Sequence, residues 1–312
     1  MIMLIAEPDK YIKSVTFGLQ LFAVSVLPSL FPFFFFSKLL SALGAADAVS
    51  RAFGKPVRKL FRTPPIAAYI FVMSIMSGYP IGARLTSDFY AVGAVNTDEA
   101  RRISAFASTS GPLFIVGTVG ACFLLSRSAG FVMLAGHYFG ALLNGLLYRI
   151  GSKRQTAPVN KEVEINTMLD YDAVLSESIS SAVTSVAAVG GYIAIFGMII
   201  DMLSGFNVFA LAGAFFGTVG GEAFGNSAGA LLISLVEMTR GTLEISKLAL
   251  NMPLKLALCG FAAAFGGACV FLQSYTYLSK CKVKVGALVL IKLTQASITF
   301  FVTWGLASLI PL

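Results

Sequence analysis

The sequence predicts an all-α polytopic membrane protein built from two inverted repeats. Each repeat is expected to hold an interfacial helix, a re-entrant hairpin and a broken transmembrane helix. Three observations lead there. First, 57% of the 312 residues are hydrophobic and 12% are charged, where a soluble domain would be nearer a quarter charged. Second, polar interruptions recur at near-constant spacing. Ser77-Gly78-Tyr79-Pro80-Ile81-Gly82-Ala83-Arg84 and Glu237-Met238-Thr239-Arg240-Gly241-Thr242 begin 160 positions apart, at 77 and 237. The next apolar segment of each half is also broken, at Ser108-Thr109-Ser110-Gly111-Pro112 and at Gly266-Gly267, and 108 and 266 are 158 apart. Third, the basic clusters fall on one side if the two interrupted segments are hairpins that return to their starting face.

The elements follow in order. Residues 1–13 lack a basic start before the apolar run, so the first apolar segment is expected to be retained. That segment, 14–43, exceeds the roughly 20 residues a membrane helix needs. Pro28 and Pro32 should kink it, because proline lacks an N–H and clashes with the preceding turn. Residues 47–63 alternate Arg51, Lys55, Arg58, Lys59 and Arg62 with Val49, Phe53, Val57, Leu60 and Phe61, which suits a helix lying in the interface. Pro64-Pro65 should end it. Residues 66–90 are apolar only up to Met76, a length of about 16 Å at 1.5 Å per residue. Half a bilayer fits a re-entrant hairpin with its tip near Gly78-Tyr79-Pro80. Residues 103–125, broken at Gly111-Pro112, and 129–150 complete repeat one, 14–150.

The linker, 151–173, is the most polar stretch. Repeat two, 174–309, opens with 176–203, where Ser178, Ser181 and Ser185 favour close helix packing in lipid. A short Gly-rich interfacial element at 207–221 precedes a hairpin at 224–250 with its tip at 237–242. A segment at 253–279 broken at Gly266-Gly267, and a last one at 285–309, close the chain. The whole of 1–312 reads as one membrane domain with six crossings and two hairpins. Basic residues 51–62, Arg149 with Lys153, Arg154 and Lys161, and Lys280 with Lys282 and Lys284 then share the cytoplasmic side. The net charge of +8 is read as this bias, not as a nucleic-acid surface.

Enzyme chemistry finds little support. No Gly-x-x-x-x-Gly-Lys-Ser/Thr loop occurs. His137 has no second metal ligand nearby and is expected to be a packed or hydrogen-bonded helix residue. Tyr171-Asp172 lacks the Gly-x-Gly-Asp partner of an intramembrane aspartyl protease. Cys122, Cys259, Cys269 and Cys281 form no CxxC pair and read as free thiols. No enzyme activity, cofactor or metal is expected.

The polar residues at the interruptions are the candidate binding site. Charge buried in lipid is costly and tends to face a cavity, which points to Arg84, Glu237 and Arg240. Ser77 can cap a helix and Pro80 suits its first turn, and a helix beginning there would aim free N–H groups inward and attract anions. Arg84 and Arg240 are expected to face each other across the site, with Ser108, Thr109 and Ser110 adding hydroxyls. The ordinary alternatives are a snorkelling Arg84, a local Glu237–Arg240 ion pair and serines bonded to their own helix. The expected ligand is a small organic anion.

Several of these segments resemble the sporulation integral membrane protein YlbJ family, within the nucleoside-recognition Gate group related to concentrative nucleoside transporters. The matching residues are Pro28-Ser29-Leu30-Phe31-Pro32-Phe33, Ser77-Gly78-Tyr79-Pro80-Ile81-Gly82-Ala83-Arg84, Ser110-Gly111-Pro112-Leu113-Phe114-Ile115, His137-Tyr138, and Glu237-x-Thr239-x-Gly241 with a looser Gly266-Gly267. The resemblance implies the same helix, hairpin and broken helix in each repeat. It also implies a role in spore formation, transport of dipicolinic acid, and a place in the cell membrane, in particular the forespore membrane. The partners expected are a small anionic solute and the lipid bilayer, with no nucleic acid; a homo-oligomer is compatible with the sequence. A nucleoside carrier of the same architecture and a non-transporting membrane assembly factor are the competing readings.

Overall fold

The computed structural model describes residues 4–5, 7–150 and 171–310, and every regular element among them is helical. Helix α1 (Pro8–Leu21), a π-helical turn (Phe22–Val26) and α2 (Leu27–Ala42) run on without a gap. The expected proline kink takes the form of this widened turn, where Leu27 N–H reaches back to the Phe22 carbonyl. It sits directly ahead of Pro28, whose missing N–H leaves the ladder one bond short. Gly44, at φ 78°, turns the chain into α3 (Ala45–Phe61). That helix lies at 89° to Leu30–Leu40, with Arg51, Lys55, Arg58 and Lys59 exposed and Phe61 buried. Phe61 stacks on Phe106 at 4.2 Å between ring centroids, anchoring the amphipathic helix to the core.

Two helices, α4 (Ala67–Ser77) and α5 (Ile81–Ala91), make the first hairpin. Helix α6 (Thr97–Phe106) follows, and the chain is then unwound from 107 to 111. A π-helical segment (Leu113–Phe123) and α7 (Arg127–Arg149) end the first half. The broken helix begins six residues earlier than the expected 103. Asn96 and Glu99 form a capping box, each side chain accepting the other's backbone N–H at 2.9 Å, and this satisfies donors at the helix start.

The second half repeats the order: α8 (Tyr171–Gly205), α9 (Val208–Gly220), a hairpin of α10 (Glu222–Val236) and α11 (Met238–Lys247), a broken pair α12 (Met252–Phe265) and α13 (Gly267–Leu278), and α14 (Val285–Leu309). Its hairpin tip is narrower than the expected 237–242. Only Glu237 stands outside the helices, because its carboxylate caps α11 and the rest of that stretch is helical. Most of the predicted linker, including Lys153, Arg154 and Lys161, lies outside the described residues.

Among the described residues, four stretches are long and apolar enough to cross a membrane: Arg127–Arg149, Asp172–Gly205, Met252–Leu278 and Val285–Leu309. The other two expected crossings do not pass as single helices. The first carries the π turn and leads into the bend at Gly44, and 103–125 is divided by the unwound stretch.

Contacts between the halves are reciprocal. Helix α5 packs on α13 while α11 packs on the π-helical Leu113–Phe123; α6 touches α14 while α12 touches α7. The two last helices, α7 and α14, meet along a small-residue seam. A Cβ on Gly136 or Gly140 would collide with the hydroxyl of Thr303 or Thr299. Close backbone approach over small residues is how helices associate in lipid, where burial of apolar surface adds little. The reciprocal packing brings both hairpin tips and both breaks to one region.

Candidate functional site

Unwound backbone inside a membrane must find partners for every polar group, and the first break finds them in side chains. Ser74 Oγ donates to the Ala107 carbonyl at 2.8 Å and lies 2.9 Å from Thr109 Oγ1. The Thr109 N–H donates back to Ser74 Oγ at 3.3 Å. The Ser108 carbonyl accepts from Lys292 Nζ at 3.2 Å and Gln295 Nε2 at 3.0 Å. The Ser110 N–H donates to His137 Nε2 at 2.9 Å. His137 is therefore the hydrogen-bonded helix residue expected, and its partner is the break itself.

The tip of the first hairpin rests on this stretch. Gly78 has φ 79° and ψ −163°, a region open essentially to glycine alone. A Cβ there would stand 2.5 Å from the Gly111 nitrogen. Tip and break thus touch backbone to backbone. Tyr79 leaves the tip toward the other half, its hydroxyl donating to the Ala263 and Ala264 carbonyls at 3.1 and 3.0 Å. Those carbonyls end α12, just before the second break.

The second half uses the same contact with different residues. Gly266 and Gly267 both have positive φ, 84° and 69°. A Cβ on Gly267 would lie 2.8 Å from the Ser234 carbonyl and 3.1 Å from the Glu237 nitrogen, so the break again abuts the tip. Glu237 is 2% exposed and accepts the Thr239 and Arg240 N–H groups at 2.8 and 2.7 Å. Gly241 presses α11 directly onto Ser234 of α10.

Between the two tips, the first break and α13 lies a cavity of about 50 Å³, enough for a few waters. Its polar lining is Ser77, Tyr79, Ser110, Glu237, Thr239 and Gln273, with backbone at Gly78 and Gly111. Aliphatic and aromatic side chains, among them Leu30, Phe33, Phe114 and Val189, form the rest of the wall. Ser77 Oγ is buried and has no hydrogen-bond partner among the described residues.

The predicted site residues divide accordingly. Ser77, Gly78, Tyr79, Ser110, Gly111, Glu237 and Thr239 line the cavity. Pro80 joins Tyr79 through a cis bond and N-caps α5. Ser108, Thr109, Gly241, Gly266 and Gly267 hold the breaks and tips in place without lining it. The two arginines do not face each other across it. Arg84 donates to Ser185 Oγ at 2.7 Å and Ser181 Oγ at 2.8 Å on α8. Arg240 Nη2 pairs with Asp201 at 3.3 Å, its Nε lies 3.7 Å from Glu244, and its guanidinium lies over Phe17 at 5.0 Å. Glu237 is consequently capped by backbone, not by the Arg240 side chain.

Lys292 is a functional residue that the interruption pattern does not reveal. It sits mid-helix in α14 at 6% exposure and donates to Tyr79 Oη at 2.8 Å, directly behind the cavity wall. A single lysine in an otherwise apolar segment, with Gln295 one turn on, was the available signal.

Residues 23–127, from the first helical run through the first hairpin and broken helix, match the family model described as Gate: Nucleoside recognition. The chain is 26% identical to the Bacillus subtilis (strain 168) protein named sporulation integral membrane protein YlbJ, over 93% of this chain and 76% of that relative. No solved structure matches. The resemblance read from the Ser77–Arg84 stretch is thus found again by whole-chain comparison, and the protein is a helical membrane protein similar to that relative.

Proposed function

We propose that this chain is a secondary transporter of a small organic anion, with dipicolinic acid as the first substrate to test, acting in the membrane of a spore-forming cell. One observation carries the reading: both hairpin tips, the first helix break and the helix that follows the second break converge on one cavity, largely apolar with a few polar groups. Interrupted helices in matching positions are where transporters of repeated architecture bind their solutes. Packing between the halves is reciprocal, and an inverted relation of the repeats would let one face of the cavity open as the other closes.

The lining favours a planar solute with polar edges. Apolar side chains cover its faces, while Ser77 Oγ, Ser110 and Thr239 offer hydroxyls. The helix start at Leu113 adds N–H groups that attract negative charge, whereas those of α11 are already taken by Glu237. Lys292, behind Tyr79, supplies the nearest buried positive charge, a part that Arg84 and Arg240 were expected to play. An ionised Glu237 beside a dianion is repulsive in a low-dielectric site. Anion entry with a proton on Glu237 removes that repulsion and makes the solute travel with a proton.

Glu237 and Gln273 in the lining, with no arginine there, favour a second reading, in which a neutral nucleoside is carried. A thermal-shift panel on purified protein separates the two. A ligand that binds only the native state at 100 times its Kd adds about 2.7 kcal/mol of apparent stability. Pyridine-2,6-dicarboxylate should raise the melting temperature and be taken up by proteoliposomes. Stabilisation by nucleosides alone would select the second reading. Stabilisation by none, with no uptake, would leave a membrane assembly role.

A further inference from the structure

Lys292 is a buried cation held entirely by neutral oxygens. Its three N–H groups serve four acceptors, Tyr79 Oη at 2.8 Å, Gln295 Oε1 at 3.1 Å, and the Ser108 carbonyl and Ser108 Oγ at 3.2 Å each, so at least one hydrogen is shared. It also lies over the Tyr79 ring, 4.5 Å from the centroid. No carboxylate among the described residues is within ion-pair distance of it. A buried ammonium is normally matched by a buried carboxylate, since taking it out of water costs several kcal/mol.

The oxygens around it come from the chain interruptions. The Ser108 carbonyl belongs to the unwound stretch that follows α6. Tyr79, which accepts from Lys292, donates in turn to the Ala263 and Ala264 carbonyls at the end of α12. The first halves of both broken helices therefore direct their C-terminal ends at one point, and helix C-termini carry partial negative charge. Unwound carbonyls and half-helix C-termini are the groups that hold a coupling cation in broken-helix transporters. Oxygen-only ligand sets suit hard cations. Here a tethered ammonium occupies such a set.

We propose that Lys292 is a built-in cation. Its ammonium fills an oxygen-lined monovalent-cation site where the first hairpin, the first broken helix and α14 meet, with the end of α12 one hydrogen bond behind, so the fold closes there without a bound alkali ion. Shortening the side chain should turn the position into an open cation site. The vacated space would adjoin the small hollow of about 10 Å³ lined by Ser104, Ser108, Ser274 and Lys292. The inference stands on the fold and holds whether or not a solute is carried.

The test is the melting temperature of the purified full chain in sodium, potassium, ammonium and choline chlorides at equal ionic strength. The wild type should melt at the same temperature in all four. Lys292→Ala should melt lower in choline and be restored, saturably, by one or more of the three small cations. Lys292→Met, which fills the space without a charge, should be destabilised and unresponsive. Saturable stabilisation of the wild type by sodium or potassium would overturn the proposal, as would a Lys292→Ala variant equally unstable in every salt. If the Ala variant does not survive extraction in choline, the yield of monodisperse protein in ammonium against choline replaces the melt, and equal loss in both overturns it.

Discussion

Gly78→Ala tests the contact on which the cavity depends. The new Cβ would lie 2.5 Å from the Gly111 nitrogen and 3.1 Å from its Cα, where ordinary contact begins near 3.4 Å. Backbone must therefore move by roughly 0.9 Å, or the tip must rotate, because no flexible side chain is there to yield. Overpacking of this kind costs about 1–3 kcal/mol. Alanine in the glycine-only backbone region adds about 1–3 kcal/mol, for a sum of roughly 2–6 kcal/mol. Gly44→Ala is the matched control: its φ is 78°, yet nothing lies within 4 Å of the Cβ position, so it bears only a dihedral penalty of about 1–2 kcal/mol. Unfolding in mixed micelles should show Gly78→Ala less stable than Gly44→Ala by about the overpacking cost. Proteoliposome uptake should fall for Gly78→Ala alone, since Ser77 and Ser110 are displaced with the tip. Equal stability of the two variants would show that tip and break do not touch as described, and would remove the structural basis of the site.

Gly267→Ala should reproduce this destabilisation in the second half, because its Cβ meets the Ser234 and Val236 carbonyls at 2.8 and 3.0 Å; melting unchanged from wild type would contradict it. Arg84→Ala removes two hydrogen bonds to α8, each worth about 1.5–3 kcal/mol with a charged donor, and should lower the melting temperature while leaving dicarboxylate affinity intact; a strong loss of affinity by calorimetry would return the arginine to the site. Glu237→Gln mimics the protonated carboxyl, so dicarboxylate binding should lose the strengthening that the wild type shows as pH falls; an unchanged pH profile would dissociate Glu237 from the carried proton. Single cysteines at Arg58 and Lys282, placed in a background with the exposed Cys122 replaced, should react with impermeant reagent from the same side of the membrane; labelling from opposite sides would refute the inverted arrangement.

The sequence by itself determined where this chain is interrupted. Periodic apolar runs report helices, and Gly78, Gly111, Gly266 and Gly267 mark places where backbone must bend or approach closely, because those requirements are local. Val285–Leu309 was legible to its end residues on that ground, and the amphipathic helix, expected over 47–63, lies at Ala45–Phe61, two residues off at each end. The start of α6 was also written locally, in Asn96 and Glu99, but the charged run around Arg101 and Arg102 masked it. Direction was a different matter. Arg84, Arg240 and Lys292 are all cations in or beside apolar segments, and nothing in their neighbours says which one points at the cavity. Arg84 lies one turn from the tip yet reaches Ser181 and Ser185, about a hundred residues away in sequence; Lys292 lies far from any interruption yet reaches Tyr79 and Ser108. Those partners are brought together only by packing of one half against the other. A buried charge goes wherever desolvated oxygens are available to receive it, and their positions are decided by the tertiary structure.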